Sequence, residues 1–180
     1  MIVVSDTSPL NYLILVRQEA VLPALFKDLL TTPEVLEEMR SVHAPKAVRS
    51  WAENPPAWLL VQSARFIDPS LQLGKGESSA ICLAVELQNN RSDVTILIDE
   101  RDGREAARGR GLRIAGTLTV LSEAARAGLL DLPQVIDDLR ATSFYVKPAI
   151  LDDVLRIDRE RKIADAASRK QEGLGSGEGR

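Results

Sequence analysis

Asp6, Glu38, Glu77 and Asp99 are the side chains of this sequence whose type and position could do chemistry. Asp6 follows the apolar run Ile2-Val3-Val4, and Asp99 closes Val94-Thr95-Ile96-Leu97-Ile98. Each is expected at the carboxyl end of a buried strand, the edge where open α/β sheets bind ligands. Taken alone, a strand-end aspartate is more often a turn former or helix cap. Glu77 precedes Ala80, Ile81 and Ala84 at helical intervals, which puts it on the stripe its helix must bury. The helix dipole favours a carboxylate in a first turn, but one aligned with the core needs a cavity, a partner or a metal to offset its desolvation. Among Glu34, Glu37 and Glu38, only Glu38 flanks the apolar sector of Val35, Leu36 and Met39 at about 100° per residue. Glu34 and Glu37 read as solvated.

Four carboxylates gathered in one pocket repel each other and take up protons unless a divalent cation lies among them. The other reactive side chains are scarce. The single histidine, His43, sits in the polar loop Ser41-Val42-His43-Ala44-Pro45, and the single cysteine, Cys82, lies in an apolar helical pattern, as a buried structural thiol. A zinc site and an internal disulfide are excluded, and a histidine-dependent hydrolase is disfavoured because its general base would have to be His43. Oxygen ligands and a hard ion remain, and Mg²⁺ or Mn²⁺ suits such a site. The reaction natural to it is metal-assisted hydrolysis of a phosphodiester.

The elements that must position these acids alternate between strand and helix. After the first strand, Pro9 opens a helix to Val16 as its first residue, and residues 20–30 read as a second. A third runs from Pro33 to Arg40 behind Thr32 as N-cap. Pro45 to Glu53 is helical, Trp58 to Val61 a strand, Gly76 to Gln88 a strong helix and Val94 to Ile98 a strand. Arg101 to Arg110 is a helix and Leu112 to Ala115 a strand. Thr117 is the expected N-cap of the following helix, which stops at Gly128. Pro133 to Ala141 is helical, Phe144-Tyr145-Val146 is expected as an edge strand, and Pro148 starts a closing helix to about Arg161. Trp51 and Trp58 read as packing residues. The pattern predicts a three-layer α/β/α sandwich around a mainly parallel sheet.

With 180 residues, 44% of them hydrophobic, the chain has material for one domain with a substantial core. Residues 1–157 are expected to form it, followed over 158–180 by a charged helical extension and a disordered Gly-rich tail. Apolar stretches fall short of a membrane span and the first residues do not resemble a signal peptide, so a cytoplasmic location is expected. The net charge of −3 gives no overall attraction to nucleic acid. Locally, Arg101, Arg104 and Arg108 follow helical spacing; a solvated face is the plain reading and contact with RNA phosphate the alternative.

Four segments occur in the order seen in PIN-domain ribonucleases: Val4 to Leu10, Pro33 to Met39, Gly76 to Ala84 with its Gly-Glu-x-x-Ala-Ile motif, and Leu97 to Arg101. The chain resembles the branch related to VapC-type toxins, over residues 1 to about 155 and including Gly116-Thr117-Leu118. The resemblance implies a Mg²⁺- or Mn²⁺-dependent endoribonuclease with Asp6, Glu38, Glu77 and Asp99 as its acidic set, of which Asp6, Glu77 and Asp99 hold metal. It also implies accessory roles for Thr7, Ser8 and Thr117, a homodimer and an antitoxin partner. Glu100 and Asp102 are alternatives for the fourth acidic role. Three other readings compete. A phosphatase of the haloacid-dehalogenase kind needs an aspartate where Ser8 stands. A P-loop at Gly74-Lys75-Gly76 lacks the required spacing. A PIN-like module that binds RNA or protein without cutting is the alternative of a different class.

Overall fold

The computed structural model describes residues 1–90 and 93–175. Its centre is a five-stranded sheet in which every pairing is parallel, in the order β3-β2-β1-β4-β5. The strands are β1 (Ile2–Ser5), β2 (Asp28–Thr31), β3 (Leu59–Val61), β4 (Val94–Leu97) and β5 (Arg113–Ala115). Val3 and Val4 of β1 are fully buried, as a strand covered on both faces requires. β1 pairs with β4 from Ile2 opposite Val94 to Ser5 opposite Leu97.

Nine helices accompany these strands among the described residues, the last three after β5: α1 (Thr7–Leu15), α2 (Val21–Leu25), α3 (Pro33–Arg40), α4 (Lys46–Glu53), α5 (Lys75–Asn89), α6 (Arg101–Gly109), α7 (Thr117–Arg126), α8 (Leu132–Arg140) and α9 (Pro148–Gly175). α3 packs on α4 and α5, and α5 on α6, β1 and β4. A second group gathers around α7, which packs on α2, α8 and α9, while α1 touches both groups. The expected three-layer α/β/α sandwich with its parallel sheet is therefore the observed architecture. Trp51 and Trp58 pack together with ring centroids 6.0 Å apart.

Several local expectations need correction. The helix expected over residues 20–30 is only the single turn or so of α2, and β2 follows it; Leu29 and Leu30 face the core from a strand. α1 begins at Thr7 with Asp6 as its N-cap, so Pro9 is its third residue, where the missing amide is still one the helix would leave unpaired. Gly116, not Thr117, is the N-cap of α7, while Gly128 does end it with a φ of +74°. Phe144 to Val146 forms no strand; Phe144 instead meets Tyr12 edge-on at 4.9 Å. α9 continues past Arg161 to Gly175, so the Gly-rich segment is helical to that point; its remainder, 176–180, lies outside the described residues. Cys82 is half-buried rather than buried, and its sulfur accepts the Asp68 N–H at 3.3 Å.

Candidate active site

Two carboxylates at neighbouring strand ends meet different fates. The Asp6 backbone N–H donates to Leu97 O at 3.0 Å, so the chain leaves β1 with Asp6 in step with Ile98 of the adjoining segment. Side chains alternate along a strand, and registered neighbours share a face, which puts Asp99 on the opposite face from Asp6. The contacts agree. A Cβ on Gly103 would collide with both Glu77 Oε1 and Ile98 Cδ1, which places Ile98 and Glu77 side by side.

Asp6 is 1% exposed, and neither of its carboxylate oxygens has a hydrogen-bond partner. Burial, followed by the charges of Glu77, Glu38 and Glu100, raises its carboxyl from 3.8 to about 7; the Thr7 amide opposes the rise without reaching hydrogen-bond geometry. Glu77 is raised as well, first by burial and then by Glu100, Glu38 and Asp102, and its Oε1 is buried without a partner. Glu38 is held in place. Its Oε2 accepts from Thr7 Oγ1 at 2.7 Å and its Oε1 accepts the Gly76 amide at 2.7 Å. Glu100 receives a hydrogen bond from Ser8 Oγ at 3.1 Å.

These four acids arrive from β1, α3, α5 and the start of α6. Thr32 caps α3, its hydroxyl accepting the Val35 amide at 3.3 Å, and lies 2.6 Å from Ser79 Oγ on α5. That buried hydroxyl pair ties together the two helices that carry Glu38 and Glu77. A Cβ on Gly74 would stand 3.7 Å from Glu38 Oε1 and 4.0 Å from Glu77 Oε2, so both glutamates border the start of α5. At Gly76 a Cβ would strike the Glu38 carboxylate itself. The glycines that fail as a P-loop thus have a steric task. Apolar periodicity carried no signal of it.

Asp99 is engaged elsewhere. Its Oδ1 accepts the Thr117 amide at 2.8 Å and its Oδ2 accepts Thr117 Oγ1 at 2.6 Å, so it caps α7 from a distance. Burial still holds its carboxyl above the ordinary value, against those two bonds and the nearby Arg104 guanidinium. The structure therefore sets Asp99 apart from the expected acidic set and brings Glu100 into its place. Thr7 and Ser8 serve the cluster through Glu38 and Glu100, Thr117 serves Asp99, and Asp102 acts on Glu77 by charge alone. The three arginines also part company. Arg101 is exposed and pairs with Glu105 at 2.9 Å, Arg108 is exposed, and Arg104 turns inward to donate from Nη1 to Ile98 O at 2.9 Å.

Among the described residues, no three acidic, histidine or cysteine side chains already stand as a cation-binding group. The donor set nonetheless fits a hard cation: two orphaned oxygens on Asp6, one on Glu77, and protonation favoured first by burial and then by mutual repulsion. Fold and site together define an α/β/α domain with unsatisfied acids at the carboxyl edge of its central strand. Residues 2–160 match the family model of the PIN domain, and the chain belongs to that family. No curated protein matches it. The fold is of nuclease type, and PIN domains are generally nucleases. Among the described residues no helix is long and apolar enough to cross a membrane.

Proposed function

We propose that this protein is a Mg²⁺- or Mn²⁺-dependent endoribonuclease, acting in the cytoplasm as the homodimeric toxin of a toxin-antitoxin pair. The observation that carries the reading is Asp6, a fully buried carboxylate with no partner, surrounded by other acids. A stability-driven core would not leave such a group unsatisfied, because each orphaned buried polar group costs about 1–3 kcal/mol. Asp6, Glu77 and Glu100 would hold the cation. When bound, it supplies charge neutralisation for the phosphodiester oxygens and lowers the pKa of solvent water.

The chain's own residues have separable tasks. Asp6 follows the central strand β1 directly, and its position fixes that of the site. Glu38, oriented by Thr7 and the Gly76 amide, presents a carboxylate that can accept a proton from the attacking water. Ser8 restrains Glu100. A pocket of this charge repels bare RNA, so a reading as a silent RNA-binding module gains no support from it.

The deciding experiment is cleavage of a generic single-stranded RNA with Mg²⁺ or Mn²⁺, with chelator, and with Asp6→Asn. Cleavage is expected only in wild type with the ion. Cleavage that persists in Asp6→Asn would remove this site from the reaction. Failure to cut any RNA, with metal-independent capture of a partner, would make the protein a binding module. A gene for a small DNA-binding protein beside its own would support the toxin role.

A further inference from the structure

We propose that the cavity between α7, α8 and α9 seats the nucleotide next to the scissile phosphate, its base against Phe144 and its phosphate on Arg104. The inference rests on the ribonuclease reading above and names a subsite for it. The cavity holds about 630 Å³, well within the range of small-molecule sites. Its apolar wall includes Leu118, Phe144, Val146, Ile150 and Val154. Phe144 is half-buried and braced edge-on by Tyr12 at 4.9 Å, so it is a fixed ring rather than a mobile one.

Three acids and three arginines line the cavity, and one guanidinium among them has no direct ion pair. Arg126 is paired with Glu123 at 2.6 Å, Arg161 with Asp158 at 2.6 Å, and Asp99 is saturated by Thr117. Arg104 is the exception. It lines the cavity, donates only Nη1, to Ile98 O, and has no carboxylate within 4.0 Å among the described residues. Its Nε and Nη2 have no acceptor yet are not among the buried unsatisfied atoms, so both remain open to a ligand. A part-buried, half-anchored guanidinium beside an apolar and aromatic hollow matches a phosphate attached to a base.

Placement links this hollow to the acids. Asp99 forms part of the cavity wall, and the next residue, Glu100, belongs to the acidic cluster. One strand exit thus borders both, and a single RNA strand crossing the sheet edge would meet the acids with one nucleotide and the hollow with its neighbour.

The test is binding of fluorescein-labelled RNA tetranucleotides, one for each base, to the full chain in chelator, so that no metal-dependent cleavage intervenes. Phe144→Leu is expected to weaken the best binder roughly tenfold and to narrow the differences among bases. Arg104→Gln is expected to weaken all four alike and to reduce the slope of log affinity against log salt by about 0.7, one phosphate on a single strand. Ser122→Trp, which fills the cavity from α7 without removing a core side chain, is expected to block binding, while Arg140→Gln on α8 changes nothing. Melting curves identify the variants that fold. Unchanged affinity and slope in folded Arg104→Gln and Ser122→Trp would overturn the proposal. So would Ser122→Trp altering only the oligomeric state, which would make the hollow a face between copies. Tetranucleotides that bind in the cavity but stay uncut when Mg²⁺ is added would defeat the ribonuclease reading alone. Normal cutting with base preference untouched by the cavity variants would defeat this inference alone.

Discussion

Asp6 and Asp99 leave adjacent parallel strands at the same edge of the sheet, yet one is orphaned and the other satisfied on both oxygens. The difference shows how a half-period of pleat sorts two chemically identical residues into separate jobs. On the α5 side, acid faces acid, and both oxygens of Asp6 and one of Glu77 are buried without a partner. On the α7 side, the carboxylate accepts from a helix amide on one oxygen and a hydroxyl on the other, although burial still holds it above its ordinary value.

The sharpest way to break this comparison is to neutralise each aspartate in turn. Asp6→Asn should lower metal-dependent RNA cleavage roughly a hundredfold or more, with the fold retained. Asp99→Asn should cost about 1–2 kcal/mol in urea unfolding, through the weakened cap on α7, and leave cleavage within about tenfold. Equal losses of cleavage would place both in one site.

Titration sharpens the same contrast. In metal-free protein the Asp6 carboxyl is raised from 3.8 to about 7, so the native state holds its proton more tightly than the unfolded chain does. Its contribution to stability is therefore most favourable below 3.8, declines as pH rises to about 7, and stays unfavourable above. The loss is at most about 4 kcal/mol. Asp6→Asn escapes it. Its melting temperature relative to wild type should climb across that window in chelator and then level off, whereas a constant offset would show that Asp6 does not ionise in this interval.

Glycine replacements test the two sides by bulk instead of charge. Gly103→Ala drives a methyl into Glu77 Oε1 and Ile98, so cleavage should fall about tenfold. Gly116→Ala brings a methyl within 2.6 Å of Asp99 Oδ1 and should mainly lower stability, by about 1 kcal/mol in thermal unfolding. The smallest effect expected is that of Glu100→Gln on titration. Removing one of the charges that raise Asp6 should move its midpoint downward by a fraction of a pH unit, readable by NMR of the Asp6 carboxyl.

The sheet, its parallel sense and most helices were legible because strand and helix periods alternate cleanly along the chain. β2 was not: Leu29 and Leu30 follow the apolar turn of α2 so closely that a short strand and a helix extension have the same appearance. Phe144 to Val146 misled in the opposite direction, since Phe144 and Val146 pack on the core without strand pairing while Tyr145 is exposed. Asp6, Glu38 and Glu77 were readable from strand ends and helix faces. Glu100 was legible only as an alternative to Asp99, beside Asp102, because the choice among them depends on register between strands, and no single segment contains that information.

The strand order carries a final consequence for biosynthesis. β1 is made first but lies between β2 and β4, and its partner β4 begins only at Val94. A growing chain therefore owns Asp6 long before it owns Glu100, and the long loop that joins them must close before the acids can meet. No truncated translation product that stops short of β4 contains the assembled centre. Under the ribonuclease reading proposed above, the emerging polypeptide would hold no assembled centre until the residues that follow β4 had been made.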